Sequence, residues 1–341
     1  LNENNAWNFD GANDSIVAPF SPNQSLNPTY SYVTQTTALT ISAWIKLDVG
    51  SMTQKIVSRT SSYTLEVNSS NQLQYRSGAY DANDPARFGQ IPIGVWTYVA
   101  VVVENTSSNR TITFYINGQN VGSSTSTYQA YITTSGSDLF IGPNFHGKID
   151  ELTIWNQVRS QSEIQADLCG VSCPDVNLIA HYSFNQGIPN SNNSGLITLV
   201  DNSGRNNNGT LQNFALTGST SNWSDSYLFY EDLDNDGYGS TNLVTCGVTD
   251  NTDCDDNDIS VHDATVIWYL DADGDHYFIG TPIASCHSPG VGYTNTGILG
   301  GDDCNDNAST AHDGTVMWYL DADGDHYVIG SPVQSCLSPG A

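Results

Sequence analysis

The chain has 341 residues and a formal net charge of −27, with nine Lys and Arg against 36 Asp and Glu. Phosphate backbones are held by Lys and Arg, so this balance excludes nucleic acid as a partner, and no run reaches the roughly 18 apolar residues that a membrane-spanning helix needs. Hydrophobic residues make up 38% and aromatics 10%, with 18 Tyr and 7 Trp among abundant Ser, Thr, Asn and Gly, the profile of an all-β secreted protein with small polar turns.

The first region, about 1–225, reads as a succession of strands. "ALTISAWIKL" (38–47), "YTLEVN" (63–68), "WTYVAVVVE" (96–104), "RTITFYINGQNV" (110–121), "DLFIG" (138–142) and "KIDELTIWN" (148–156) are rich in β-branched and aromatic residues and bounded by Gly, Asn, Pro or Ser. Asn117-Gly118 between two such runs predicts a tight hairpin. One stretch, "SQSEIQADL", is helical: Ser160 is the N-cap and Glu163, three residues on, completes a capping box. The implied architecture is a two-sheet antiparallel sandwich.

Taken in order, "NFDGANDSIV" (8–17), "LTISAWIKL", "WTYVAVVV", "FYINGQNVG", "IGPNFHGKIDELTIWNQVRSQSEI" and "LIAHYSFNQG" resemble the laminin-G-like, concanavalin A-like jelly-roll domains of bacterial surface proteins. The resemblance covers roughly 1–216 and implies the fold; domains of this kind bind glycans, proteins or nothing known. It also implies a structural ion, held where an N-terminal loop meets a late strand, at Asp10, Asp14 and Asp150. For a glycan or surface ligand, the loop-placed Tyr80, Arg87, Phe88, Tyr128, Tyr131 and Phe145 are the candidates for stacking on sugars.

The second region, 226–341, is repetitive. "TVIWYLDADGDHYFIGTPIASCHSPG" (265–290) returns as "TVMWYLDADGDHYVIGSPVQSCLSPG" (315–340), and "CDDNDISVHDA" (254–264) returns as "CNDNASTAHDG" (304–314), both with a period of 50. A looser copy, "FYEDLDNDGY", begins at Phe229, and the second unit carries an 11-residue insertion relative to it. The divisions are a first repeat at 226–265, a second at 266–315 and a truncated third at 316–341, a linear array whose parent protein is expected to continue. No Lys or Arg follows Arg205 while about twenty Asp and Glu do, yet Trp268, Tyr269, Trp318, Tyr319 and five Cys mark this region as folded and not as an acidic tail. Something cationic must offset its self-repulsion.

Asp at every second position of a short loop lets hard oxygen ligands converge on Ca²⁺. The loops are Asp232, Asp234 and Asp236; Asp271, Asp273 and Asp275; and Asp321, Asp323 and Asp325. An EF-hand is excluded, because Leu243, Pro282 and Pro332 stand where its bidentate Glu belongs and no flanking helices are predicted. The ligand shell is expected to close from a second acidic box: Asp253, Asp255, Asp256 and Asp258 in the first repeat, Asp302, Asp303 and Asp306 in the second. A copper or zinc site using His262, His276, His287, His312 and His326 is the rival, but Asp outnumbers His severalfold and oxygen donors favour Ca²⁺.

The paired pattern resembles the calcium-binding type-3 repeats of thrombospondins and related bacterial repeats, and implies several Ca²⁺ ions along 226–341. Two departures stand out: His276 and His326 occupy the usual Gly position, and Asn305 and Ala308 replace Asp255 and Asp258, so the second repeat is expected to hold fewer ions or to hold them less tightly. In the same scheme the Cys pair as Cys169 with Cys173, Cys246 with Cys254 and Cys286 with Cys304, leaving Cys336 to a partner beyond the chain. Regular pairing implies an oxidising, extracellular location.

Concanavalin-like glycosidases need two carboxylates across a scissile bond. Asp150 and Glu151 are adjacent in "KIDELTIW" and by strand alternation point to opposite faces, and no Gly-x-Ser-x-Gly or His-Glu-x-x-His pattern occurs. The sequence therefore reads as a non-catalytic, extracellular calcium-binding adhesin or filament segment: a jelly roll for a polysaccharide or other surface ligand, followed by a calcium-stiffened stalk. The alternatives are a purely structural stalk that self-associates through further repeats, and the non-catalytic part of a secreted polysaccharide-degrading enzyme.

Overall fold

The run "ALTISAWIKL" shows how the first region layers. In the strand Thr36–Leu47, Leu39, Ile41, Ala43 and Ile45 face the core with 0% exposure, and the intervening Ser42 and Trp44 face outward, where Trp44 Nε1 donates to the Leu168 carbonyl (3.2 Å). The structure is a computed structural model and describes residues 5–20, 26, 30–31, 36–77, 86–127, 136–171, 175–262, 266–301, 303–310, 316–335 and 339. Contacts divide the chain into two units, 1–228 and 229–341, three residues later than the boundary expected from the sequence.

Unit one begins with β1 (Asn5–Asp10), β2 (Ser15–Ala18), β3 (Tyr30–Ser31) and β4 (Thr36–Leu47). Then come β5 (Gln54–Arg59), β6 (Tyr63–Val67), β7 (Gln72–Ser77), β8 (Ala86–Gln90), β9 (Thr97–Asn105), β10 (Arg110–Ile116) and β11 (Gln119–Ser126). After β12 (Leu139–Ile141) and β13 (His146–Trp155) the chain makes α1 (Gln161–Asp167), then β14 (Leu178–Tyr182), β15 (Thr198–Leu199), β16 (Gly209–Gln212) and β17 (Asn222–Asp225). One sheet has the order β11-β10-β9-β4-β13-β1-β17, with β14 on β13 and β3 on β4; the other runs β15-β16-β2-β12-β5-β6-β7-β8. The pairings between these strands are antiparallel, and the inner faces share one apolar core.

Local chemistry explains the punctuation. Asn117 (φ 48°) and Gly118 (φ 74°) both take the left-handed conformation of a tight hairpin turn between β10 and β11. Both halves of the capping box form at α1: Glu163 N donates to Ser160 Oγ (3.3 Å), and Ser160 N donates to Glu163 Oε2 (2.7 Å). The unit closes on Trp223 of β17, which is fully buried, donates from Nε1 to the Phe184 carbonyl (2.7 Å) and meets Trp7 of β1 edge-on.

Unit two is built on different terms. Its strands are short: β18 (Phe229–Tyr230) with β19 (Leu243–Val244), then β20 (Ile267–Leu270) with β21 (Ile279–Ala284) and β22 (Tyr293–Thr294), then β23 (Met317–Trp318) with β24 (Val333–Gln334). Among the described residues the buried apolar cluster contains nothing beyond Trp223. Each repeat is a small hairpin whose turn is the Asp loop, and period 50 holds in detail: Trp268 Nε1 donates to the Ser285 carbonyl (2.9 Å) and Trp318 Nε1 to that of Ser335 (2.8 Å). A unit without a core needs disulfides or metals.

Trp223→Ala removes a fully buried indole from the seam between β1 and β17. It is expected to cost the jelly roll about 3–5 kcal/mol, read from its urea transition, and to leave the signals of 229–341 unmoved.

Candidate metal centres

The three Asp loops share one backbone turn. In each, the first Asp accepts from the amide five residues on: Gly237 N to Asp232 Oδ2 (3.3 Å), His276 N to Asp271 Oδ2 (3.1 Å) and His326 N to Asp321 Oδ2 (3.0 Å). The fifth-position Asp accepts from the following Tyr amide: Tyr238 to Asp236 (2.8 Å), Tyr277 to Asp275 (2.9 Å) and Tyr327 to Asp325 (2.9 Å). Gly237, His276 and His326 all have positive φ (94°, 75° and 68°), so the two His keep a conformation that suits Gly at the cost of local strain. The departure noted in the sequence leaves the turn intact.

The second box meets the loop through hydrogen bonds. Leu233 N donates to Asp256 Oδ1 (2.7 Å) in the first repeat and Ala272 N to Asp306 Oδ1 (2.6 Å) in the second; Asp253 N donates to the Gly239 carbonyl (3.0 Å) and Asp303 N to that of Phe278 (3.1 Å). Four carboxylate groups bring ligand oxygens within 4.8 Å of one another: Asp232/Asp234/Asp236, Asp271/Asp273/Asp306, Asp273/Asp275/Asp303 and Asp321/Asp323/Asp325. Asp273 belongs to two of them, so the second repeat offers two centres bridged by one carboxylate.

These groups fit a cation and little else. Asp232 Oδ1 and the Oδ2 atoms of Asp234, Asp236, Asp253, Asp256, Asp273, Asp275 and Asp303 are buried with no hydrogen-bond donor. A buried carboxylate oxygen without a donor costs free energy, and here the missing partner cannot be a cationic side chain, because no Lys or Arg follows Arg205. The Asp306 carboxyl is pushed up by burial, against its bond from Ala272 N and with the Asp303, Asp273 and Asp271 carboxylates adding. Burial likewise raises Asp234, with Asp236, Asp253 and Asp232 adding.

Several expected ligands are employed elsewhere. Asp255 lies 2.5 Å from His287 Nε2, and that imidazole is the main reason its carboxyl sits below the ordinary range; Asp258 accepts from Ser260 Oγ (2.7 Å) and Ser260 N (3.1 Å), which lower it. Among the described residues neither joins a carboxylate group, and Asn305 and Ala308 stand at the equivalent positions of the second repeat. Asp302 lies outside the described residues.

The disulfide pairing is also corrected. Cys254 bonds Cys286 across 32 residues, so Cys246 does not pair with Cys254 nor Cys286 with Cys304. Cys169, Cys246 and Cys304 are disulfide-bonded too, and Cys173 lies outside the described residues. The bridge ties the first repeat's box to the end of the second repeat's hairpin, and the neighbouring Asp255–His287 contact spans the same junction. Adjacent-Cys reasoning missed this because it assumed that each repeat is stapled internally; the signal was the equal 32-residue spacing of Cys254 to Cys286 and Cys304 to Cys336.

In the jelly roll, Asp10 and Asp14 meet but Asp150 does not join them. Asp14 accepts from Asp10 N (3.0 Å) and Ser221 Oγ (2.9 Å), Asp10 from Ala12 N (2.8 Å). Asp10 pairs with His146 in the register of β1 on β13, so Asp150 stands four residues, about 13 Å, further along. Asp150 is fully buried; its Oδ1 accepts from Glu151 N (2.8 Å) and its Oδ2 from Ser226 Oγ. Alternation also fails here: a bulge between Asp150 and Thr153, with Glu151 at φ 46°, turns both carboxylates to the outer face. Glu151 is engaged there by His181 Nε2 at 2.6 Å.

Of the expected sugar-stacking residues, Phe145 is fully buried against Phe9, and Phe88 packs on Phe114 at the core's edge, so both are structural. Arg87 is exposed on β8; Tyr80, Tyr128 and Tyr131 lie outside the described residues.

Residues 11–165 match the family described as the concanavalin A-like lectin/glucanases superfamily, Laminin_G_3. Among solved structures, the chain resembles a putative carbohydrate binding protein from Bacteroides ovatus ATCC 8483 (18% identity, 62% of this chain and 59% of that one, TM-score 0.46). It also resembles a SAP-like pentraxin from Limulus polyphemus (16% identity, 51% and 86%, TM-score 0.38). A third likeness is domain 4 of AbnA, an extracellular arabinanase from Geobacillus stearothermophilus (18%, 47% and 75%, TM-score 0.34). These are likenesses of fold. No curated protein matches, and no helix among the described residues is long and apolar enough to cross a membrane.

Burial pushes the Asp14 carboxyl up to about 6, and burial also raises Asp150 well above the carboxylate range. Both folded-state values exceed the unfolded one, so the folded jelly roll binds protons more tightly and gains stability as pH falls through about 6 toward 4. Urea midpoints of the jelly roll measured in chelator should rise over that interval, and Asp14→Asn should flatten the rise.

Proposed function

We propose that the chain is a non-catalytic extracellular segment in which a jelly roll presents a glycan or surface ligand site and calcium-bound repeats form a stiff stalk. The observation that carries the reading is the set of eight buried, donorless carboxylate oxygens in 229–341. Oxygen-only donors of high negative charge suit Ca²⁺ over copper or zinc, which prefer nitrogen and sulfur. Asp232, Asp234 and Asp236 would hold an ion in the first repeat, supported by Asp253 and Asp256; Asp271, Asp273, Asp275, Asp303 and Asp306 would hold a bridged pair in the second; Asp321, Asp323 and Asp325 supply the third loop.

A bound divalent cation supplies charge neutralisation and a fixed coordination shell. The residues do the rest: the first two loops each fix three carboxylates by their own backbone bonds, and the box brings further carboxylates across the hairpin. Ligand oxygens so placed repel one another until neutralised, so ion binding and folding of the repeat are one equilibrium. The Cys254–Cys286 bridge fits an oxidising exterior and limits movement between successive repeats.

The jelly-roll reading is supported by the family match over 11–165. The non-catalytic reading is supported by the employment of Asp150 and Glu151, whose carboxylates are taken up by Ser226 and His181.

Chelation with EGTA should strip amide-exchange protection from 229–341 while the strands of the jelly roll keep theirs; unchanged protection in excess EGTA contradicts the proposal. Asp273→Asn, which touches two carboxylate groups, should lower calcium stoichiometry more than Asp275→Asn, which touches one. Equal losses would contradict the bridge.

A further inference from the structure

The outer face of the first sheet carries an aromatic cluster that lies apart from the apolar core. In β4, Ile41, Ala43 and Ile45 turn inward, which sends Ser42, Trp44 and Lys46 outward. Register sets Asp150 of β13 and Tyr98 of β9 on either side of Trp44, and Lys148 beside Lys46. Trp96, half-buried, stands two residues before Tyr98 and on the same face. Three aromatic rings, two ammonium groups, a carboxyl group and the Ser42 and Tyr98 hydroxyls, 2.9 Å apart, therefore share one patch across three strands, a span of about 10 Å.

The patch is occupied by the chain itself. Past β17, Ser226 and Tyr227 cross it as a short strap. Ser226 Oγ donates to Asp150 Oδ2, and the Tyr227 ring stacks on Trp44 (centroids 4.3 Å apart, 30° between planes) and meets Trp96 edge-on (5.6 Å). At the root of the strap Lys148 Nζ donates to the Asp225 carbonyl (3.2 Å). Tyr227 is 6% exposed, yet Tyr227, Trp44, Trp96 and Tyr98 all lie outside the buried core cluster. The last strand pair before the strap is Asn5 with Asp225, so lifting 226–228 breaks no pairing of β17.

The two strap contacts are those that a sugar makes. A pyranose lays its C–H face on an indole and donates a hydroxyl to a carboxyl group, and aromatic side chains with a few placed polar groups are the usual lining of a small-molecule site. An anchor that served packing alone would need only the rings. Here Asp150 stands fully buried beneath the strap, a cost that apolar contact does not incur.

We infer that the outer face of the first sheet is a saccharide platform masked by this strap: a sugar ring replaces Tyr227 on Trp44 and Trp96, and a sugar hydroxyl replaces Ser226 on Asp150. The inference rests on the glycan-binding reading above and assigns its site. Ligand and strap compete for one seat, so the hold of the strap sets the affinity, and binding frees the residues that precede the first repeat.

The test is binding of the whole chain, in calcium-replete buffer, to arabinan, xylan and laminarin as neutral probes, followed by tryptophan fluorescence. Tyr227→Ala should raise the affinity for at least one of them by about tenfold, and the bound polymer should change the emission. Ser226→Ala removes one strap contact and should give a smaller gain in the same direction. Trp96→Ala on the Tyr227→Ala background should abolish the gain; Trp96 is half-buried and outside the core, so the jelly-roll melting temperature should not fall further. A Tyr227 that serves structure alone would lower that temperature and leave binding as it was. Unchanged affinity in Tyr227→Ala, or a gain that survives Trp96→Ala, would overturn the inference. Silence of every chain toward all three polymers would instead sink the glycan-binding reading on which it rests.

Discussion

Everything in the second half of the chain depends on carboxylates that are brought together, buried and left without donors. Asp273 shows the constraint most sharply: it belongs to two ligand groups, its Oδ2 is buried and donorless, and no Lys or Arg exists anywhere after Arg205 to meet it. Like charges at such distances repel by several kcal/mol in a partly buried setting. The first two repeats both show this arrangement, and it is the ground on which a bound cation is proposed.

The jelly roll and the repeats therefore solve the same problem by opposite means. In 1–228 alternating strands seal an apolar core running from Trp7 to Trp223, and buried polar groups such as Asp14, Asp150 and Asp201 have donors from neighbouring backbone or hydroxyls. In 229–341 no such core exists among the described residues; Ile279, Ile283 and Val333 of the hairpins stay exposed. What remains are short hairpins, a disulfide between successive repeats and the carboxylate loops. Burial area stabilises the first unit; the second has a covalent tie and, on the proposed reading, bound cations.

Sequence legibility followed this division. Strands with strong alternation, the Asn117-Gly118 turn and the Ser160 capping box were readable because their determinants are local. The loops and their pairing with the boxes were readable because a period of 50 repeats them. What could not be read depends on register or on long-range partners. A bulge at Glu151 reverses the facing of a carboxylate, and β1 register separates Asp150 from Asp10. Asp255 and Asp258 look like ligands until His287 and Ser260 claim them, and the Cys254–Cys286 bridge defeats pairing by nearest neighbour. Phe145, placed in a Gly- and Asn-rich loop, turns inward because Phe9 offers it an apolar seat.

The central claim is that the repeats are organised around calcium ions, two of which share Asp273. Native mass spectrometry of the whole chain after calcium exchange counts them directly. The account predicts several retained Ca²⁺ ions, and more than one fewer in the Asp273→Asn chain; a chain that retains none, or loses none on that substitution, contradicts it.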